Sequence, residues 1–88
     1  METIICMINL FELNQHLYKY NEETKSFISI GDASLESLGE AIATKCKEYG
    51  VNNVHIYGSG SFLDKTFEDI KYFGKNNYDF NDINVEVN

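Results

Sequence analysis

Read for alternation and helical spacing, the chain separates into short apolar runs divided by polar breaks. Thr3 to Phe11 (TIICMINLF) is almost unbroken apolar sequence, rich in β-branched residues and short for a helix. Such a run predicts a central strand covered on both faces. Its one strongly polar side chain is Asn9. After a polar break at Glu12 to Gln15, His16 to Tyr20 (HLYKY) has the aromatic content of a second strand. Asn21 to Thr24 is turn-type sequence, and Lys25 to Ile30 (KSFISI) alternates as a third strand. Short breaks between these three runs imply antiparallel neighbours.

Gly31 and Asp32 are expected to end the sheet section, with Ser34 as the N-cap of a helix. Leu35, Leu38, Ile42, Cys46 and Tyr49 recur at helical spacing, while Glu36, Glu40, Lys45 and Lys47 lie off that stripe. Gly50 stands where a left-handed C-terminal cap belongs. A buried strand, Val54 to Tyr57, follows directly, and a strand, helix and parallel strand in that order cross over right-handedly. Gly58, Ser59, Gly60 and Ser61 form a tight corner into a second helix. Its apolar face is Leu63, Phe67, Ile70 and Phe73, and Gly74 is expected to stop it. Ser61 precedes Asp64 by three residues, as in a capping box. Lys75 to Asp82 reads as a polar loop carrying Tyr78 and Phe80. Ile83, Val85 and Val87 then alternate with Asn84, Glu86 and Asn88 as a last strand with one solvated face.

Length and composition narrow the picture. The chain has 88 residues, enough for one domain over 1–88 and no second one. Without proline or tryptophan, six Phe and six Tyr must supply much of the buried area. Fourteen acidic residues face seven basic ones, all lysine, for a net charge of -7. No basic stripe exists to neutralise phosphates, which argues against direct binding to nucleic acid. Acidity of this size either keeps a small protein soluble or steers it to a partner with a basic surface. Cys6 and Cys46 fall on apolar faces and make no disulfide framework. With two scattered histidines they supply too few ligands for a metal site, and no cofactor is expected. The N-terminus lacks a basic region before its apolar run, which is also too short to span a membrane. The expected location is the cytoplasm.

Three features could carry chemistry or recognition. The Gly58–Ser61 corner (Gly58, Ser59, Gly60, Ser61) lies before a helix N-terminus, where free N–H groups and the dipole favour a phosphate or other anion. It is not a Walker A loop, and Asp64 would repel an anion, so a plain turn with a helix cap is the competing reading. His16 and His55 have no serine or cysteine nucleophile at a readable spacing. Tyr18 and Tyr20 share one face of the second strand with His16, while Tyr72 and Tyr78 lie near the end of the second helix. Exposed tyrosine beside acidic groups suits a protein-binding surface; ordinary packing is the alternative. The third and last strands are expected at sheet edges, where a copy of the chain could pair to give a homo-oligomer.

Strand, strand, strand, helix, strand, helix, strand over the whole chain resembles a minimal ribonuclease-H-like fold. That resemblance implies an α/β (α+β) domain with a mixed five-stranded sheet in the order 3-2-1-4-5 and two helices. The segments INLFELNQHLY and VHIYGSGSF also resemble small bacteriophage-type proteins. Nucleases of the ribonuclease-H-like family hold two metal ions with carboxylates on the first strand, the end of the fourth and the helices. Two-metal hydrolysis needs that cluster to clamp the attacking and leaving oxygens. Here no Asp or Glu lies between Thr3 and Phe11, and Tyr57, Gly58 and Ser59 end the fourth strand. Glu12, Glu36, Glu40 and Asp64 are the remaining stand-ins, with Glu12 past the strand and the helix glutamates off the apolar stripe. The expected function is therefore a non-enzymatic, phage-type binding protein, and its charge suits an inhibitor of a nucleic-acid-handling or defence complex. A phosphate-ligand binder at Gly58–Ser61 and a residual metal-dependent nuclease are the alternatives.

Overall fold

The computed structural model describes residues 2–58, 61–76 and 83–87. Its elements are β1 (Glu2–Met7), β2 (Asn14–Asn21), β3 (Ser26–Ser34), α1 (Leu38–Tyr49), β4 (Asn53–Tyr57), α2 (Ser61–Asn76) and β5 (Asn84–Val87). The strands make one five-stranded sheet in the order β3-β2-β1-β4-β5. β1, β2 and β3 pair antiparallel, while β4 lies parallel to β1 and β5 parallel to β4. This is the mixed five-stranded sheet, in the order 3-2-1-4-5, that the ribonuclease-H-like resemblance implies.

Register explains where the core sits. Ile4 pairs with Val54 and Cys6 with Ile56, which sets these four side chains on one face, with Leu17 opposite Cys6. All are buried in one cluster with Leu38, Ile42 and Cys46 of α1 and Ile70 of α2. Both helices therefore pack on this face, and among the described residues no element covers the other. The expectation of a central strand covered on both faces is corrected by that asymmetry. β4 likewise buries only Val54 and Ile56, not its whole length.

Several boundaries shift for identifiable reasons. β1 ends at Met7, not Phe11, because the buried Gln15 side chain captures the chain beyond it. Gln15 Oε1 accepts from the Asn9 N–H at 2.6 Å, and Gln15 Nε2 donates to the Asn9 and Glu12 carbonyls at 2.9 and 3.2 Å. Those bonds replace the ladder that a longer strand would need. β3 runs through Gly31 and Asp32 to Ser34, since Leu17 pairs with Gly31 and Tyr18 with Ser29. Ile30 is thus the extra residue of a β-bulge, and it points into the core. α1 consequently starts a turn later than expected, after Ser37, whose hydroxyl bonds to that of Ser34 at 2.8 Å. Gly50 ends α1 in the left-handed conformation (φ 66°), and the N–H groups of Gly50 and Val51 return to the Cys46 carbonyl.

The helices meet closely. A side-chain carbon on Gly39 would lie 2.2 Å from Asp69 Cβ and 3.1 Å from the Thr66 carbonyl oxygen. α2 accordingly buries Thr66, Ile70 and Gly74, a face turned from the expected Leu63, Phe67, Ile70 and Phe73 stripe. Gly74 lies inside α2 and does not stop it. Phe67 is left partly exposed at the surface.

Candidate binding face

The residues that alternate with the core line the uncovered face: Thr3, Ile5 and Met7 of β1, His55 and Tyr57 of β4, and Tyr18 and Tyr20 of β2. Alternation along each strand forces this division, because successive side chains point to opposite faces. His55 and Tyr57, two apart on β4, stack with ring centroids 4.3 Å apart and planes within 7°. Across the β2–β3 pair, Tyr20 and Phe27 stand opposite each other with centroids 4.6 Å apart. Between these pairs lies a cleft of about 460 Å³ whose rim carries Glu22 and Glu86, with Asn53 and Asn84 beside them. Glu86 Oε2 is 3.6 Å from His55 Nδ1. No lysine lines the cleft.

Beyond Met7 the same end of the sheet presents a second apolar feature. In the β1–β2 connection Phe11 is 100% and Leu13 90% exposed. The Gln15 bonds fix this loop from beneath, and Asn9 Oδ1 accepts the Phe11 N–H at 3.0 Å.

The tyrosines expected at a binding surface separate into two groups. Tyr18 and Tyr20 belong to the uncovered face. Tyr72 lies on the exposed side of α2, edge-on to Phe73 at 5.2 Å, on the opposite side of the sheet. Tyr78, with Phe80, lies outside the described residues, as do Ser59 and Gly60. Of the expected anion corner, Gly58 is half-buried, and a side-chain carbon there would lie 3.1 Å from Ile8 Cβ. Ser61 is exposed and already the first residue of α2, with Asp64 in the same turn. Sequence reasoning missed Ile5, Phe27 and Tyr57 as surface residues. The signal for Tyr57 was present in the alternation of His55 and Tyr57 with Val54 and Ile56.

His16 sits in an exposed cluster at one end of β2. Its Nδ1 is 2.8 Å from Asp32 Oδ1 and its Nε2 3.3 Å from Glu12 Oε2. The hydrogen bond to Asp32 and the charge of that carboxylate, with a smaller contribution from Glu12, raise the His16 pKa above its ordinary 6.5. Its two ring nitrogens face carboxylates and not a serine or cysteine nucleophile. Cys6 and Cys46 are buried, and desolvation pushes their thiols up to about 11 and about 12, so neither is a thiolate near neutrality. Among the described residues no group of three or more His, Cys, Asp or Glu side chains is arranged to hold a metal ion. At the carboxyl ends of β1 and β4, where open α/β sheets place their ligands, stand Met7, Ile8, Tyr57 and Gly58.

No protein-family model and no curated protein matches this chain. Solved structures do. Archaeoglobus fulgidus Pelota is similar with a TM-score of 0.59 and 13% identity over 99% of this chain and 26% of that one. The fowlpox virus Holliday junction resolvase is similar with a TM-score of 0.52 and 16% identity, covering 100% of this chain and 60% of the resolvase. The same resolvase in complex with Holliday junction DNA gives a TM-score of 0.53 and 17% identity over 58% of its length. At these identities the likeness is one of fold, which is ribonuclease-H-like. No helix among the described residues is long and apolar enough to cross a membrane.

Proposed function

We propose that this chain is a non-enzymatic protein-binding module that docks through the uncovered face of its sheet onto a partner with basic and apolar groups. The observation that carries this reading is the concentration of Tyr18, Tyr20, Phe27, His55 and Tyr57 on a sheet face that no described element covers. Half-exposed aromatics supply large contact area at small entropic cost, and contiguous patches of this kind mark interaction sites. The net charge of -7, the absence of arginine and the acidic rim of the cleft favour a basic partner. The same charge supports a finer reading, in which a phage-encoded chain occupies the basic groove of a nucleic-acid-handling or defence complex.

A photo-reactive amino acid placed at Tyr57, with one at Tyr72 as the control on the helix side, tests the docking face in host cells. Expected are covalent adducts from the Tyr57 position that disappear when Tyr20 and Ile5 are both changed to serine. Adducts formed equally from both positions, or unaffected by those changes, would overturn the assignment of the face. Magnesium-dependent cleavage of a four-way DNA junction, abolished by Glu12→Gln, would overturn the non-enzymatic part.

A further inference from the structure

We infer that the cleft between the Tyr20–Phe27 and His55–Tyr57 pairs is a recognition pocket for a single cationic side chain, the guanidinium or ammonium group of a basic residue on the partner. This inference rests on the docking face proposed above and names the chemistry its central cleft selects.

The pocket is built from complementary parts. Its walls are two aromatic pairs, one stacked at 4.3 Å and one tilted at 4.6 Å, anchored on β4 and across the β2–β3 ladder. Ring faces attract a cation through their quadrupole, and the attraction strengthens as water is displaced. The floor is strand backbone of β1 and β4 around Thr3, Ile5 and Val54. Glu22 and Glu86 stand at the rim, so a cation entering between the rings would meet two carboxylates and no lysine among the described lining residues. The nearest strand lysine, Lys19, is on the helix-covered face of β2, where it pairs with Glu2 at 2.9 Å and lies over the Tyr49 ring. Asn53 and Asn84 add side-chain oxygens that can accept from a guanidinium. A volume of about 460 Å³ admits an arginine or lysine head with part of its alkyl stem. An anion fits none of this, because both rim charges repel it. A neutral apolar group would use the rings but draw nothing from the rim carboxylates.

The test is nuclear magnetic resonance titration of the intact protein with the capped tripeptide Leu-Arg-Leu, set against the same peptide carrying citrulline, the uncharged isostere of arginine. Expected are shifts of the Tyr20, Phe27, His55 and Tyr57 ring signals with the arginine peptide and far smaller ones with citrulline. Glu22→Gln combined with Glu86→Gln should weaken the arginine peptide about three- to tenfold, the range expected of two exposed ion pairs. Ring shifts of equal size with both peptides, or shifts spread over the acidic residues of α1 and α2 as well, would overturn the pocket. Photo-adducts at Tyr57 that survive the double Gln variant unchanged would likewise overturn the cationic pocket while leaving the docking face standing. Loss of those adducts only when Tyr20 and Ile5 are changed would separate the two readings in the same way.

Discussion

The two faces of the sheet are made by the same strands and differ in almost every other respect. On the covered face, Ile4, Cys6, Val54 and Ile56 meet α1 and α2 with no exposure above 2%. One residue along the same backbones, Ile5, Met7, His55 and Tyr57 face outward, and Met7 remains 60% exposed. The covered face uses small aliphatics and thiols, which fill volume and carry no polar group needing a partner. The uncovered face uses rings, and its tyrosines suit a half-wet setting because the ring can pack on its neighbour while the hydroxyl meets water, whereas His55 Nε2 is buried without a partner among the described residues. The contrast teaches that stability and recognition are divided here by the two-residue period of the strand, not by separate regions of the chain.

Adjacent residues of β4 offer the most direct way to break that division. Ile56→Ala removes a fully buried side chain from the core and should cost about 2–5 kcal/mol in urea denaturation. Tyr57→Ala, next in sequence, removes only half-exposed area and one stacking partner, and should cost about 1 kcal/mol or less. Equal losses at the two positions would mean that the outer face is also part of the folding core.

A smaller effect comes from adding atoms. Gly39→Ala puts a methyl carbon 2.2 Å from Asp69 Cβ and 3.1 Å from helix backbone, so α1 and α2 must separate. Alanine favours a helix over glycine by about 1 kcal/mol, yet overpacking of this kind costs about 1–3 kcal/mol, so a net loss is expected. The same added methyl on the uncovered face, Ser29→Thr opposite Tyr18, should change stability by no more than about 0.5 kcal/mol. Thermal melts of the two variants compare the faces directly. A neutral Gly39→Ala would show that the helix pair has slack that its close approach hides.

Much of this architecture was legible in the sequence because it rests on period and breaks. Helical spacing in Leu38, Ile42 and Cys46, with glycine at 50, located α1 and its C-terminus, while the full strand order came from the resemblance of the element order to the ribonuclease-H-like fold. What escaped depends on particular side-chain contacts that the hydrophobic period does not record. The apolar letters of Leu10 and Phe11 gave no sign that a buried glutamine six residues on from Asn9 would end the strand early. The rotated face of α2 follows from Gly39, whose missing side chain admits Thr66 and Ile70 but leaves no mark in the pattern of α2 itself. The candidate face was half legible. Tyr18 and Tyr20 could be assigned one side of β2 from alternation, whereas the exposure of Phe27 and Tyr57 depends on both helices packing on the same side of the sheet.

The smallest effect separates the ends of the uncovered face by their response to pH. At one end, exposed His16 lies between Asp32 and Glu12 and its folded-state pKa is raised. A raised value means that folding favours the protonated ring. The resulting stabilisation is complete below the ordinary 6.5 of the unfolded chain and is lost as pH rises through the higher folded value. Wild-type protein should therefore melt slightly above His16→Gln at about pH 5.5, and the difference should shrink as pH rises through the raised folded value and the ring loses its proton. Comparing the difference between the two proteins cancels the titration of the many carboxylates they share. A difference that stayed constant with pH would assign the contact to a hydrogen bond from the neutral ring, because only the ion pair disappears with the proton.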